Sequence, residues 1–285
     1  MEKINAIMDV NTYLERIQSA VTYIQGMDPR RPETAIILGS GLGKLADKIE
    51  NSTVIPYSTI PGFPVSTAIG HKGNLIIGEL GGKTVIAMQG RFHYYEGYDM
   101  WTVTMPERVF SKMGIKYLFV SNAAGGLNES YSIGDLMLIC DHLNFAPSPL
   151  IGPNLEEFGP RFPDMGHCYD PALTRLAEEC GKDLGIALQK GVYTIVTGPT
   201  YETPAECTAY RRLGGDAIGM STVPEVIVAR HCGIKCLGVS IITDEAFGTR
   251  KEGEVIDGAE IVKIADAAAD RMTTLFTEII RRMEM

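Results

Sequence analysis

The densest group of chemically capable side chains lies in Gln89-Gly-Arg-Phe-His-Tyr-Tyr-Glu-Gly-Tyr98. Arg91 offers a planar fork suited to phosphate, His93 a second donor, and Tyr95 an aromatic face whose hydroxyl suits a sugar. Glu96 either holds a sugar hydroxyl or orients a neighbouring donor. A solvated loop with one salt bridge would explain the charge here. It would not explain an arginine, a histidine and two tyrosines within five residues.

A second group is glycine-rich. Thr34-Ala-Ile-Ile-Leu38 runs into Gly39-Ser40-Gly41-Leu42-Gly43-Lys44, and the backbone N–H groups of such a turn can cradle an anion. The loop fails both familiar nucleotide templates: it reads G-x-G-x-G, and Lys44 is followed by Leu45 rather than Ser or Thr. Taken alone it leaves two readings open, an anion cradle or a tight turn without a ligand. Gly70-His-Lys-Gly73 adds a possible donor in His71, although a lone histidine is more often structural. Ser121-Asn-Ala-Ala-Gly-Gly-Leu-Asn128 reads as another strand entering a glycine loop, with small residues that permit close backbone approach to a ligand.

These groups need elements to position them. Apolar, β-branched runs at Thr34–Leu38, Leu75–Leu80, Thr84–Met88, Tyr117–Ser121, Leu136–Cys140, Val192–Val196 and Cys236–Ile242 predict strands. Helical spacing predicts helices over 45–50, 9–25, 101–113, 171–184, 204–213, 223–231 and 259–282, the last capped by Asp257. The alternation implies a mostly parallel, covered sheet, and Gly81-Gly82-Lys83 adds an antiparallel hairpin, so the expectation is an α/β chain with a central mixed sheet flanked by helices. Residues 1–285 read as one domain, with the aperiodic, Pro- and Gly-rich stretch 144–169 as a long functional loop. Loops at the C-terminal edge of such a sheet are where ligands bind.

The composition narrows the partners. With 26 Lys plus Arg against 35 Asp plus Glu, a formal charge of −9, the surface repels polyanions, so nucleic acid is not an expected partner. No apolar run is long enough for a membrane helix, and the first residues lack a basic leader pattern, which makes the cytoplasm the default. The six cysteines lack metal-binding spacing and read as reduced core residues.

In chain order, Gly39-Ser-Gly-Leu-Gly43, Gly70-His-Lys-Gly73, Gly90-Arg-Phe-His-Tyr-Tyr-Glu-Gly97, Ser121-Asn-Ala-Ala-Gly-Gly126, Gly198-Pro-Thr-Tyr-Glu-Thr-Pro204 and Gly219-Met-Ser-Thr-Val-Pro-Glu225 resemble the trimeric class of purine nucleoside phosphorylases over nearly the whole chain. The resemblance implies phosphate held by Ser40, Arg91, His93, the backbone at Ala123, and Ser221, with His71 nearby. It implies a nucleoside site of Tyr95, Asn122, Ala123, Ala124, Gly125, Tyr201, Glu202, Gly219, Met220 and Asp244, with Glu202 reading the base and Tyr201 beside it. It also implies no metal or organic cofactor, inorganic phosphate as co-substrate, and a homotrimer in which Phe158 enters the neighbouring sugar site.

Two departures from the family pattern bear on the chemistry. Thr243-Asp244 stands where the family has Thr-Asn, and Gly258 stands where many members carry a histidine for the 5′-hydroxyl. An ionised Asp cannot donate to purine N7, so Asp244 serves as a general acid only in its protonated form, which desolvation beside Glu202 would favour. The implied activity is phosphorolysis of 6-oxopurine nucleosides such as inosine and guanosine, with His93 and Glu202 assisting Asp244. A methylthioadenosine phosphorylase, a variant tolerating 6-aminopurines and a non-catalytic nucleoside-binding protein are the competing readings.

Overall fold

Thr34–Leu38 (β1) is buried along its entire length, which is why it reads as an unbroken apolar run rather than as an alternation. It lies between two parallel partners, Lys83–Gln89 (β4) and Tyr117–Gly126 (β5). The computed structural model describes residues 9–247 and 256–284, so the reading of the first eight residues as free of a leader lies outside the described residues.

Nine strands form one sheet in the described residues. Glu50–Pro56 (β2) and Asn74–Leu80 (β3) are antiparallel additions at one edge, joined to β4 by the expected hairpin. Beyond β5 come Leu136–Asn144 (β6), Leu188–Ile195 (β7), Ala217–Gly219 (β8) and Lys235–Glu245 (β9), in the spatial order β5-β8-β7-β6-β9. Because β9 also pairs with β5, these five strands close into a ring. The sheet is mixed, and the α/β class expected from the sequence is what the structure shows.

Period-two alternation sorts the side chains of the central strands between two cores. Ile37, Ile86, Met88 and Val120 face one side, packed with Val10–Met27 (α1), Met105–Met113 (α3) and Val223–His231 (α6). Ile36, Leu38, Val85 and Phe119 face the other, covered by Pro171–Leu184 (α4) and Gly258–Arg282 (α7). Asp257 caps α7 through Ala259 N, as its position before the helix suggests.

Four local expectations are corrected. Residues 45–50 form no α-helix; a 3₁₀ turn, Gly43–Lys48, leads into β2, which is mostly exposed and therefore carries no apolar signature. The helix expected over 101–113 breaks at Thr104 into Met100–Val103 (α2) and α3, where Pro106 takes one of the first helical positions, the place where its missing N–H costs nothing. Strand β5 continues to Gly126, through the segment read as a glycine loop. Strand β8 is too short to leave a period, and Pro204–Arg212 (α5) follows the loop after β7 as expected. Cys140 is exposed rather than buried, although all six cysteines are free.

Candidate active site

Strands β4, β1, β5 and β9 are parallel neighbours, so their C-terminal ends meet at one rim. Ser40 follows β1, Arg91 and His93 follow β4, Asn122, Ala123, Ala124 and Gly125 lie in the last half of β5, and Asp244 is the penultimate residue of β9. Gly219, Met220 and Ser221 follow from β8, and Tyr201 and Glu202 precede α5. All of these residues, with Tyr95, line one pocket. Ile218, Thr243 and Ile261 complete it and were not anticipated from the sequence.

One end of the pocket is built around Arg91, which is 1% exposed. Its Nε donates to Glu225 Oε1 at 2.8 Å, and its Nη1 donates to the Ser121 carbonyl at 2.6 Å and to Ser221 Oγ at 3.4 Å. Its Nη2 is buried and makes no hydrogen bond among the described residues. A buried cationic donor without an acceptor costs free energy until an anion fills the place.

His71 stands one step behind the pocket lining, bonded through Nε2 to Ser40 Oγ at 3.1 Å. Burial and the nearby His93 push its imidazole down to about 3, so it is neutral at physiological pH. The Arg91 N–H needs an acceptor and finds His71 Nδ1 at 3.1 Å, while the Arg91 carbonyl already accepts from Ser66 Oγ at 3.0 Å. That accounting leaves the His71 proton on Nε2, donating to Ser40, and frees the Ser40 hydroxyl hydrogen for the pocket.

His93 stacks between His71, with ring centroids 5.2 Å apart, and Tyr95, at 4.6 Å. Its Nδ1 faces Glu96 Oε1 at 3.0 Å, and the same carboxylate accepts from the His93 backbone and from Thr67. Burial raises the Glu96 carboxyl, but the bonds from His93 and Thr67 outweigh it and bring it down to about 2. Of the two roles open to Glu96, the structure shows the orienting one: with Nδ1 committed, Nε2 is the ring nitrogen left to serve the pocket. Burial lifts the Tyr95 phenol to about 12, so its hydroxyl stays a neutral donor.

Ser221 is presented by an unusual turn. Thr222 has φ 74° and ψ −52°, left-handed for a β-branched residue, and Val223 N donates to Ser221 O at 2.8 Å across it. Such a γ-turn is rare and strained by about 1–3 kcal/mol, and it persists where its surroundings hold it. Here Asn122 Nδ2 donates to Thr222 Oγ1 at 2.9 Å from β5.

The other end of the pocket is acidic and more open. Glu202 is largely buried, whereas Tyr201 is 40% exposed and its phenol is raised by burial and then by Asp244, Asp257 and Glu202. Asp244 Oδ1 accepts from Thr243 Oγ1 at 3.0 Å, which in turn reaches the Ala124 carbonyl at 3.3 Å. The expected close backbone approach along Ser121–Gly126 is made to β9 as well as to the pocket: a Cβ on Gly125 would lie 3.1 Å from Asp244 Oδ2 and 3.0 Å from Ala246 Cβ. Gly258 opens the first turn of α7, and a Cβ there would sit 3.5 Å from the Tyr201 hydroxyl.

With this geometry in place, the comparisons with known proteins are decisive. Residues 33–281 match the family described as the Phosphorylase superfamily. The chain belongs to that superfamily. It is 54% identical over 254 residues to Purine nucleoside phosphorylase 1 of Bacillus subtilis, a match covering 87% of this chain and 94% of that protein. Among solved structures, Schistosoma mansoni purine nucleoside phosphorylase in complex with inosine matches with a TM-score of 0.91 at 41% identity, covering 95% of this chain and 98% of that one. The same protein in complex with adenosine matches with a TM-score of 0.90 at 42% identity and the same coverage.

Phe158, which the resemblance assigns to a neighbouring subunit's sugar site, stands outside this pocket's lining in the single chain. Its ring is 6% exposed in the core shared by α1, α3 and α6, with the Lys112 ammonium 5.2 Å from the ring centroid. Within the single chain the loop that carries it lies against α3. The residues missed from the sequence are Glu225, Thr222 and Asn122 in its role of holding Thr222. Glu225 stands within a motif quoted above, yet only burial beside Arg91 reveals its task. No group of His, Cys, Asp or Glu suited to a metal ion occurs among the described residues, and no helix there is long and apolar enough to cross a membrane.

Proposed function

We infer that the chain is a purine nucleoside phosphorylase in which inorganic phosphate, the co-substrate, attacks the anomeric carbon as the bond to the purine breaks. The products are the free base and the sugar 1-phosphate. The observation that carries this reading is the buried, unpartnered Arg91 Nη2 in a pocket that also holds Glu202 and Asp244. Ser40, Arg91, His93, Ser221 and the backbone at Ala123 hold the phosphate, with His71 fixing Ser40. Once fixed, the dianion stabilises positive charge on the sugar directly, so the reaction requires no metal or organic cofactor.

The sugar lies against Tyr95 and Met220, and the base lies between Tyr201, Glu202 and Asp244. The departing purine gains negative charge at its imidazole ring. Protonated Asp244 donates to N7 as the bond breaks and becomes a carboxylate; the proton leaves with the base. Glu202 accepts from purine N1–H and, in guanine, from the exocyclic amine, which favours inosine, guanosine and their deoxy forms. Asp244 also supports a second reading, tolerance of 6-aminopurines, since a carboxyl can accept from a 6-amino group; the Schistosoma relative has been solved with adenosine as well as inosine.

The proposal includes a cytoplasmic homotrimer. Exposed Ile69, Ile151 and Phe162 offer apolar surface for an interface between copies. The test is release of hypoxanthine from inosine with and without phosphate, extended to guanosine, adenosine and methylthioadenosine. Phosphate-dependent release from inosine and guanosine supports the reading. Turnover of methylthioadenosine alone transfers the chain to the rival activity, and binding without turnover removes the catalytic assignment.

A further inference from the structure

Behind the pocket, four charged or acidic side chains are buried together: Arg91, Glu225, Arg108 and Glu107. Arg108 is held from α3 by Tyr13 Oη at 3.0 Å and Thr104 Oγ1 at 3.1 Å, away from the pocket lining. Glu225 is 4% exposed and sits in the first turn of α6, three residues after Thr222, where the helix dipole favours a negative charge. Burial, and then the Glu225 charge, push the Glu107 carboxyl well above the usual carboxylate range.

The guanidinium of Arg91 has three nitrogens and only one of them is uncommitted. Glu225 fixes Nε, the Ser121 carbonyl and Ser221 hydroxyl fix Nη1, and Nη2 remains. We propose that Glu225 is the positioning residue of the oxyanion site: its carboxylate holds the Nε edge of Arg91 and so commits Nη2 to the bound phosphate. Without that anchor the guanidinium can turn about the Cγ–Cδ and Cδ–Nε bonds, and the fork no longer presents a fixed edge to the anion. Glu225 acts through Arg91 and does not line the phosphate pocket.

This inference rests on the reading of Arg91 as a phosphate ligand, and the experiment separates the two. Steady-state constants for phosphate and for inosine are measured on the full-length parent, Arg91→Lys, Glu225→Gln and Glu225→Asp. Loss of one charge-assisted bond corresponds to roughly a ten- to hundredfold effect, so Glu225→Gln raises the phosphate KM by at least about tenfold while the inosine KM moves less than about twofold. Glu225→Asp, which keeps the charge on a shorter arm, falls between Gln and parent. If Glu225→Gln folds and moves both KM values together, or neither, the positioning role is overturned. Should Glu225→Gln fail to fold, Glu225→Asp decides alone: a selective rise in phosphate KM supports the proposal and an unselective or absent change defeats it. A phosphate KM unchanged in Arg91→Lys would instead overturn the oxyanion site itself.

Discussion

The two ends of the pocket are built differently. At the end built around Arg91 the lining side chains are wired to groups behind them: Arg91 to Glu225 and Ser121, Ser40 to His71, His93 to Glu96, and Ser221 to a γ-turn tied down by Asn122. At the base end Tyr201 is substantially exposed, Asp244 leans on its neighbour Thr243, and the first turn of α7 contributes a glycine. The difference separates the constant part of the chemistry from the variable part. Phosphate is the same in every turnover and rewards a preorganised set of donors, whereas the base and sugar substituents vary.

The sharpest way to break this contrast is at Arg91. Arg91→Ala removes the central donor and is expected to lower kcat/KM for phosphate on the order of 10³-fold. It also leaves Glu225 as a buried, unpaired charge and so costs about 3 kcal/mol of stability, read as a lower melting temperature. Equal losses from Tyr201→Phe and Arg91→Ala would erase the distinction between the ends.

Glu202→Ala comes next, with kcat/KM on guanosine down about a hundredfold and the phosphate KM unmoved, since a carboxylate accepting two donors is lost from the base end alone. Asp244→Asn is smaller. The amide still hydrogen-bonds N7, though it cannot give up a proton to it, and it changes what the site offers a 6-amino group, so the inosine-to-adenosine ratio of kcat/KM rises about tenfold. An unchanged ratio with unchanged rate constants takes Asp244 out of the site.

The smallest effect tests the wiring through acid titration. The Glu96 carboxyl is lowered in the folded chain from an ordinary 4.5 to about 2, so its stabilisation is fully present above 4.5 and is lost as pH falls towards 2. The stability advantage of the parent over Glu96→Gln is therefore constant near neutrality and disappears in acid, measured by denaturant unfolding across that range. An advantage that grows as pH falls would contradict the assigned ionisation.

What could be read before the structure follows from periodicity and residue type. Buried strands such as Thr34–Leu38 declare themselves because a strand covered on both faces is continuously apolar, and Arg91, His93 and Tyr95 because their types are improbable in a plain turn. Strand β2 was not legible because most of its side chains face solvent, and β8 because three residues cannot express a period. The continuation of β5 through Gly126 was hidden by glycines that serve its packing against Asp244 and Ala246.

Within the site, the side chains that line the pocket were legible and their supports were not. The strain at Thr222 is a backbone dihedral, and Glu225 becomes meaningful only when α6 brings it against the segment after β4.

The central claim is that one inorganic oxyanion is gripped at the shared rim of β1, β4 and β5. A crystal grown with phosphate tests it most directly. The account predicts an ion within hydrogen-bonding distance of Arg91 Nη2, Ser40 Oγ and Ser221 Oγ, beside the His93 ring. A phosphate bound elsewhere, with Arg91 Nη2 still unpartnered, would contradict it.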